Sequence, residues 1–398
     1  MNIRKFISVL SAGATSWVAS LAVAGAACAQ QLPELRIGAV VSITGPAASL
    51  GVSEGNAIKL LEERYGAVND LPFKPKFVTY DDASDPAKAV NAVRKLIQED
   101  KVHVVLCCTT TPNSMAILNT IAEARTPNIS MALASAIVEP VAERRFVFKT
   151  AVTDGLMLTR VTEHMVKQKY KRVAFMGLED AYGEGGLNEF RKSAQARGLE
   201  IVAVERFSKS DTNFTPQALR VRQSGADAVY FHAIPPSSAL SHEALVRAGF
   251  KGAIYQSGGS ANQAFVTIGR QSVEGAIVAV GPMQVASQLP ASSPVVPVLQ
   301  DYSRAFNERF GAGKADQFGG YGWDAVNITI ASARKLTPTV ISGDLNASRA
   351  ALRDAIETTK DFKAVSGVFT FSPENHLGLE RGIYLAVVKD GAFKLLED

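Results

Sequence analysis

Polar side chains recur in this chain where a short apolar run gives way to a helical pattern. The segment Cys108–Thr111 follows the apolar run Val102–Cys107 and precedes Pro112, a residue that favours the first turn of a helix. Three hydroxyls and the free N–H groups of a helix start would meet there, and they suit an anion such as a carboxylate. The alternative is structural: Thr111 caps the helix and its neighbours fill a turn.

Three other places carry side chains that could do chemistry. Asp81 and Asp82 end the predicted strand Phe77–Tyr80, where solvated or helix-capping carboxylates are typical. Tyr182 lies in the predicted loop after another strand, and His232 ends a third one. A ligand contact and a purely structural role both remain open for this tyrosine and this histidine.

Motifs of catalysis are missing from the sequence. The five histidines are scattered without metal-ligand spacing, so we expect no metal. The run 258–262 (GGSAN) fails at its last position as a nucleophile elbow. Gly313-Lys314 lacks the pattern of a phosphate-binding loop, and the run 183–186 (GEGG) lacks that of a dinucleotide fingerprint. We therefore predict a protein that is not an enzyme and uses no cofactor.

The amino-acid composition and the net charge limit the kinds of molecule that this protein is expected to bind. The chain has 398 residues, 47% of them hydrophobic and 20% charged, which is typical of a folded globular protein. Its 42 basic and 38 acidic residues leave a formal charge of +4, without a basic run that would bind nucleic acid. A small molecule or a protein is the expected partner, and we expect the chain to be a monomer.

The N-terminus has the pattern of an export signal. Arg4 and Lys5 precede an uncharged, apolar stretch that ends in Ala27-Cys28-Ala29, so we predict a cleaved signal peptide over residues 1–29 and a periplasmic location. Lipidation of Cys28 is the alternative.

The remaining cysteines, Cys107 and Cys108, are neighbours in an apolar run, and we predict that they are buried free thiols.

From Leu35 onward, short β-branched runs alternate with amphipathic segments of helical length. This alternation of strand and helix patterns predicts parallel sheets flanked by helices, and a second series of such elements begins after residues 146–149. Two α/β lobes are therefore expected, with chain crossings near 146–150 and 276–281 and a ligand cleft between them.

Five motifs follow one another along the chain: IGAVVSITGP (37–46), YDDASDP (80–86), YGEG (182–185), DTNF (211–214) and GAD (225–227). In this order they resemble the periplasmic substrate-binding proteins of branched-chain amino-acid type ABC importers, the Leu/Ile/Val-binding family. The resemblance covers essentially the whole chain after the signal peptide. It implies two Rossmann-like lobes joined by three crossing strands, with residues 30–148 and 281–362 in lobe 1 and residues 149–280 and 363–398 in lobe 2.

The resemblance also implies where the ligand binds. The residues that would hold it from the first lobe, mostly through its carboxylate, are Leu50, Cys108, Thr109, Thr110, Thr111, Ala134 and Ser135. Those expected from the second lobe are Tyr182, His232, Ile234 and Gly258. The ligand would then be delivered to an inner-membrane ABC permease.

The chain departs from this family at two places. Amino-acid binders of the family carry an acidic residue for the ligand ammonium after the strand that matches Ile254-Tyr255, but residues 256–259 here read QSGG. A cysteine that often pairs with the position of Cys107 is replaced by Ser84. We therefore predict a small aromatic or aliphatic carboxylate as the ligand, with Glu179 or Asp180 as a less favoured substitute for the missing acid.

Two other functions stay open at this stage. The chain could bind a branched-chain amino acid, or it could be a sensory subunit that presents its ligand to a membrane receptor.

Overall fold

The structure, a computed structural model, describes residues 32–379 and 381–396. The predicted signal peptide and Cys28 lie outside these residues. Within the part of the chain that is described, no helix is long and apolar enough to span a membrane.

The first sheet has five parallel strands in the spatial order β2-β1-β3-β4-β5. They are β1 (Glu34–Val41), β2 (Lys74–Asp81), β3 (Val104–Cys107), β4 (Asn128–Ser130) and β5 (Val147–Lys149). All four residues of β3 are buried between its neighbours β1 and β4, which explains why its sequence is a continuous apolar run.

The second sheet has seven strands in the order β14-β13-β10-β9-β8-β6-β7, and a separate two-stranded hairpin consists of β11 and β12. Their ranges are β6 (Arg172–Leu178), β7 (Glu200–Phe207), β8 (Ala228–His232), β9 (Ala253–Gln256), β10 (Ile277–Val280), β11 (Phe362–Lys363), β12 (Val368–Phe369), β13 (Tyr384–Lys389) and β14 (Ala392–Leu395). Strands β6 to β10 are parallel, while β13 and β14 join antiparallel at one edge.

Twelve α-helices of the described residues connect and cover the strands. They are α1 (Ala48–Gly66), α2 (Pro86–Gln98), α3 (Thr111–Glu123), α4 (Asp154–Lys167), α5 (Ala181–Ala196), α6 (Thr215–Gln223), α7 (Ser237–Arg247), α8 (Gln263–Gly269), α9 (Val296–Phe310), α10 (Gln317–Ala333), α11 (Pro338–Ser342) and α12 (Leu345–Glu357). Helices α1, α2, α3 and α9 to α12 pack around the first sheet, and α4 to α8 pack around the second. The predicted architecture of two Rossmann-like lobes is confirmed.

Residues 362–379 lie against the first lobe, although we had assigned residues 363–398 to the second. His376 Nδ1 is 2.9 Å from the carbonyl oxygen of Val147 at the end of the first sheet, and the N–H of Val365 donates to Asp324 of α10 at 2.8 Å. These bonds hold the hairpin segment on lobe 1. We therefore propose that the third crossing follows Leu379.

Two helices begin earlier than their sequence patterns predicted. We expected α5 to start at Gly186, but Asp180 caps it by accepting bonds from the N–H groups of Tyr182 and Gly183. Helix α10 was expected from Tyr321 and starts at Gln317. Glycines near both helix starts weaken the helical pattern, since glycine has low helix propensity. Close packing explains the glycine in α5, because a Cβ on Gly183 would lie 1.7 Å from a backbone oxygen.

The prediction of free thiols at Cys107 and Cys108 was wrong, because the two sulfurs form a disulfide bond. Alternation along a strand would have pointed the two side chains to opposite faces. Cys107 is the last residue of β3, so the alternation does not extend to its neighbour. Both residues are fully buried, as expected. Since the bond joins adjacent residues, it closes no long loop, and the stability of the fold rests on its cores.

Candidate functional site

A narrow cavity lies between the two lobes at the carboxyl ends of several strands. Only about 10 Å³ of it is open to the centre of a water molecule. The lobes are therefore nearly closed on each other. Lobe 1 contributes Leu50, Thr109, Thr110, Thr111, Pro112 and Leu133, and lobe 2 contributes Leu178, Tyr182, Lys209 and Ile234.

The start of α3 forms the polar side of the cavity. Thr110 precedes the helix in an extended conformation, and no side chain caps the helix at this end. The hydroxyls of Thr110 and Thr111 are buried, with exposed fractions of 7% and 3%, and neither has a hydrogen-bond partner within the described residues. The capping role that we considered for Thr111 is therefore not observed. Free hydroxyls and first-turn N–H groups together offer donors to an anion.

Thr109 has a different role from its two neighbours. Its hydroxyl donates to the carboxylate of Glu54 in α1 and accepts a bond from the N–H of Ser42 at 3.0 Å. The single proton of this hydroxyl is thus not available to a ligand. Burial raises the pKa of the Glu54 carboxyl well above its usual range; the bond from Thr109 opposes this change, and the nearby Asp82 and Asp316 add to it. Thr109 therefore anchors the loop that presents the other two threonines.

Asp82 belongs to the same support and is not the solvated carboxylate that its sequence position suggested. It is fully buried, and it accepts bonds from the hydroxyl of Ser42 and the side-chain amide of Asn113, both at 2.7 Å. Asp81 does stay at the surface, where it accepts bonds from the N–H groups of Ile43 and Thr44. Asp82 thus joins the residue after β1 to the start of α3, which restricts the threonine loop.

Tyr182 forms an aromatic wall on the second lobe. It lies in the first turn of α5 rather than in a loop, and its hydroxyl donates to Ser257 Oγ at 3.0 Å. The ring of His232 packs behind it at a centroid distance of 4.0 Å. Burial lowers the pKa of His232 to about 3, so this histidine is neutral at pH 7. It supports the tyrosine and carries no charge toward the cavity.

Lys209 is the one charged side chain among the described residues that line the cavity, and the sequence analysis did not single it out. It follows β7, and its Nζ lies 2.6 Å from Oδ2 of Asp180. The other oxygen of Asp180 caps α5. Asp180 is thus occupied, and Glu179 is exposed and does not line the cavity. Neither acid is placed to hold a ligand ammonium.

Of the eleven predicted ligand-binding residues, six line the cavity: Leu50, Thr109, Thr110, Thr111, Tyr182 and Ile234. The other five do not line it, and they are Cys108, Ala134, Ser135, His232 and Gly258. Sequence reasoning missed Pro112, Leu133, Leu178 and Lys209. The first three are apolar residues beside predicted site residues or at a strand end, whereas nothing in the sequence near Lys209 pointed to a site.

Two of these five residues, Ser135 and Gly258, lie where the lobes meet. The N–H and hydroxyl of Ser135 donate to Oδ1 of Asp154, which begins α4. Gly258 donates its N–H to the sulfur of Met157, and its carbonyl oxygen accepts a bond from Gln317 of α10 at 2.9 Å. The bonds of Ser135 with Asp154 and of Gln317 with Gly258 connect elements of opposite lobes, whereas the bond to Met157 lies within lobe 2.

A buried lysine positions the segment that carries Leu133. The ammonium of Lys149, at the end of β5, donates to the carbonyl oxygens of Leu133 and Ala134 at 2.6 and 3.3 Å. Its complete burial lowers its pKa to about 7, although Asp154 and Glu139 oppose this change.

No group of three or more residues that could hold a metal occurs in 32–379 or 381–396.

The fold and the cleft define a two-lobed receptor for a small solute. The sequence profile of the family described as periplasmic binding protein matches residues 34–392, and the chain belongs to this family. Its members bind small-molecule ligands, work with the permeases of ABC transporters and are receptors rather than enzymes.

Relatives and solved structures agree with this assignment. An extracellular ligand-binding receptor from Rhodopseudomonas palustris HaA2 is 33% identical, with a TM-score of 0.84 over 91% of this chain and 99% of that chain. The leucine-, isoleucine-, valine-, threonine- and alanine-binding protein of Pseudomonas aeruginosa is 25% identical over 65% of this chain and 69% of its own length. A solute-binding protein of an R. palustris ABC transporter, solved in complex with benzoate, is 21% identical, with a TM-score of 0.77 over 91% of this chain and 95% of that chain.

Proposed function

We propose that this protein captures a small organic carboxylate in the periplasm and delivers it to an ABC importer of the inner membrane. One structural observation is the main support for a carboxylate as the ligand. The uncapped start of α3, with the free hydroxyls of Thr110 and Thr111, faces a cavity whose other walls are mostly apolar. Donors from a helix N-terminus suit a carboxylate, and the apolar walls suit a hydrocarbon body.

The lining of the cavity also favours a ligand with a hydrocarbon body. Leu50, Leu133, Leu178 and Ile234 can contact an aliphatic or aromatic body, and Tyr182 can stack on a ring. The benzoate complex of a protein with the same fold supports an aromatic acid as one candidate, although that likeness concerns the fold alone.

A branched-chain amino acid is the second candidate, because curated relatives bind such ligands. An α-amino acid needs a partner for its ammonium group, since an unpaired buried charge costs several kcal/mol. No carboxylate lines the cavity in the described part of the chain, and Asp180 is paired with Lys209. The carboxylate without an ammonium group is therefore the favoured ligand.

Calorimetry with the mature protein tests the proposal. The panel consists of benzoate, phenylacetate, 4-methylpentanoate, leucine and phenylalanine, together with the amide of each acid. We expect at least one simple acid to bind, and its amide to bind at least about tenfold more weakly, because hydrogen bonds to a charged group are lost. Equal binding of acid and amide, or binding of amino acids alone, would contradict the proposal.

A further inference from the structure

An ammonium group lines the cavity on the side that belongs to lobe 2. Lys209 lines it together with Leu178, Tyr182 and Ile234, and its side chain is 27% exposed. The polar groups of lobe 1 that face the cavity are the threonines at the start of α3. A ligand held between the lobes therefore meets hydroxyl and N–H donors from one lobe and an ammonium donor from the other.

The pairing of Lys209 leaves part of its bonding capacity unused. An ammonium group has three N–H donors, and the contact of 2.6 Å with Asp180 Oδ2 is an ion pair without the geometry of a hydrogen bond. Asp180 stays in place because its other oxygen caps α5. When the cleft closes on a ligand, the donors of Lys209 that face the cavity can bind an acceptor of that ligand.

We propose that Lys209 is a specificity-determining residue, which selects carboxylates that carry a second hydrogen-bond acceptor, such as a hydroxyl or another carboxylate, away from the first one. This inference rests on the proposed function, since it assumes that the threonine loop holds the first carboxylate. Such a ligand spans the cleft, with one end on Thr110 and Thr111 and the other on Lys209. A ligand ammonium at the same place would instead meet a like charge.

The test compares acids that differ only in their second group. Calorimetry measures the binding of 3- and 4-hydroxybenzoate, isophthalate and terephthalate against 3- and 4-methylbenzoate, and of glutarate against pentanoate. We expect at least one acceptor-bearing acid to bind about tenfold or more tightly than its methyl counterpart, as a hydrogen bond to a charged group provides. In Lys209→Met this preference should fall to about twofold or less, while the methyl compounds still bind.

Two further variants separate specificity from folding. Lys209→Arg keeps the charge and should keep the preference. Lys192→Met removes a lysine of α5 that forms a similar ion pair with Glu189 outside the cavity, at 2.6 Å, and it should bind every acid as the wild type does. Thermal melts followed by circular dichroism verify that each variant is folded.

The outcomes distinguish a failure of the role of Lys209 from a failure of the proposed carboxylate ligand. If simple acids bind but the wild type shows no preference for a second acceptor, or if Lys209→Met retains the preference, the role of Lys209 is refuted and the proposed function stands. If none of these acids binds the wild type, both the role of Lys209 and the carboxylate ligand are refuted.

Discussion

Ser135 and Asp154 join the two lobes beside the cavity. The N–H and the hydroxyl of Ser135 lie 3.0 and 2.6 Å from the same oxygen, Oδ1 of Asp154, and both donors and acceptor are buried. Ser135 follows the segment that carries Leu133, whereas Asp154 begins the first helix of the second lobe. This pair therefore stabilises the closed arrangement of the cleft rather than contacting the cavity.

Removing that pair should favour an open cleft. In Asp154→Ala, the bonds from Ser135 to a charged acceptor are lost, so we expect the affinity for a bound acid such as benzoate to fall roughly tenfold. Solution scattering should show a larger radius of gyration than the wild type at saturating ligand. Asp70→Ala, at an exposed ion pair with Arg334, is the control and should change neither quantity. Unchanged affinity and compaction in Asp154→Ala would refute the role of the pair.

The three threonines should separate into two classes when each is replaced by valine. Thr110→Val and Thr111→Val remove hydroxyls that lack partners, so we expect the free energy of unfolding to stay the same or rise, while carboxylate affinity falls about tenfold. Thr109→Val leaves Glu54 and the N–H of Ser42 without their partner and should lower the free energy of unfolding by about 1–3 kcal/mol. Denaturant titration and calorimetry measure the two effects. Three variants with the same loss of stability would contradict this division.

Glu54 should make stability depend on pH. Below pH 4.5, the ordinary pKa of the group, its carboxyl is protonated in the folded and the unfolded chain alike. Because burial raises its pKa in the folded state, the unfolded chain releases the proton first as the pH rises, and stability falls above pH 4.5 until the folded carboxyl also ionises. In Glu54→Gln this loss is absent, so the melting temperature of the variant relative to the wild type should rise with pH. A constant difference between pH 4 and pH 8 would contradict the raised pKa.

Gly186 should be essential for the aromatic wall of the cavity. A Cβ at this position would lie 2.3 Å from ring atoms of His232, which supports Tyr182. We expect Gly186→Ala to lower the free energy of unfolding by about 1–3 kcal/mol through overpacking, and to weaken ligand binding as the tyrosine shifts. Gly66→Ala, at the end of α1, is the matched control, because a Cβ there meets no atom within 4 Å. It should be neutral or stabilising by up to about 1 kcal/mol. Similar losses in both variants would argue against this account.

Much of the architecture could be predicted from local patterns. The four buried residues of β3 form a continuous apolar run. An aspartate followed by a proline is a local signal for a helix start, and Asp85 with Pro86 begins α2, where Asp85 accepts the N–H of Lys88 at 2.9 Å. Such signals are local, because burial on both faces, capping and helical spacing act within a few residues. The starts of α5 and α10 were missed, since their glycines weaken a helical pattern that tertiary packing then stabilises.

The cavity shows the same division between local and tertiary information. The sequence alone determined that Thr109–Thr111 stands at a helix start after a buried strand, and that residues 256–259 contain no acid for a ligand ammonium. Only the tertiary structure decided that the Thr109 hydroxyl donates to Glu54, 55 positions away, and that Lys209 lines the cavity beside Asp180. These contacts depend on which strand ends meet at one edge of a closed cleft. No local pattern encodes that meeting, because the partners come from separate elements that approach each other only when the lobes have folded.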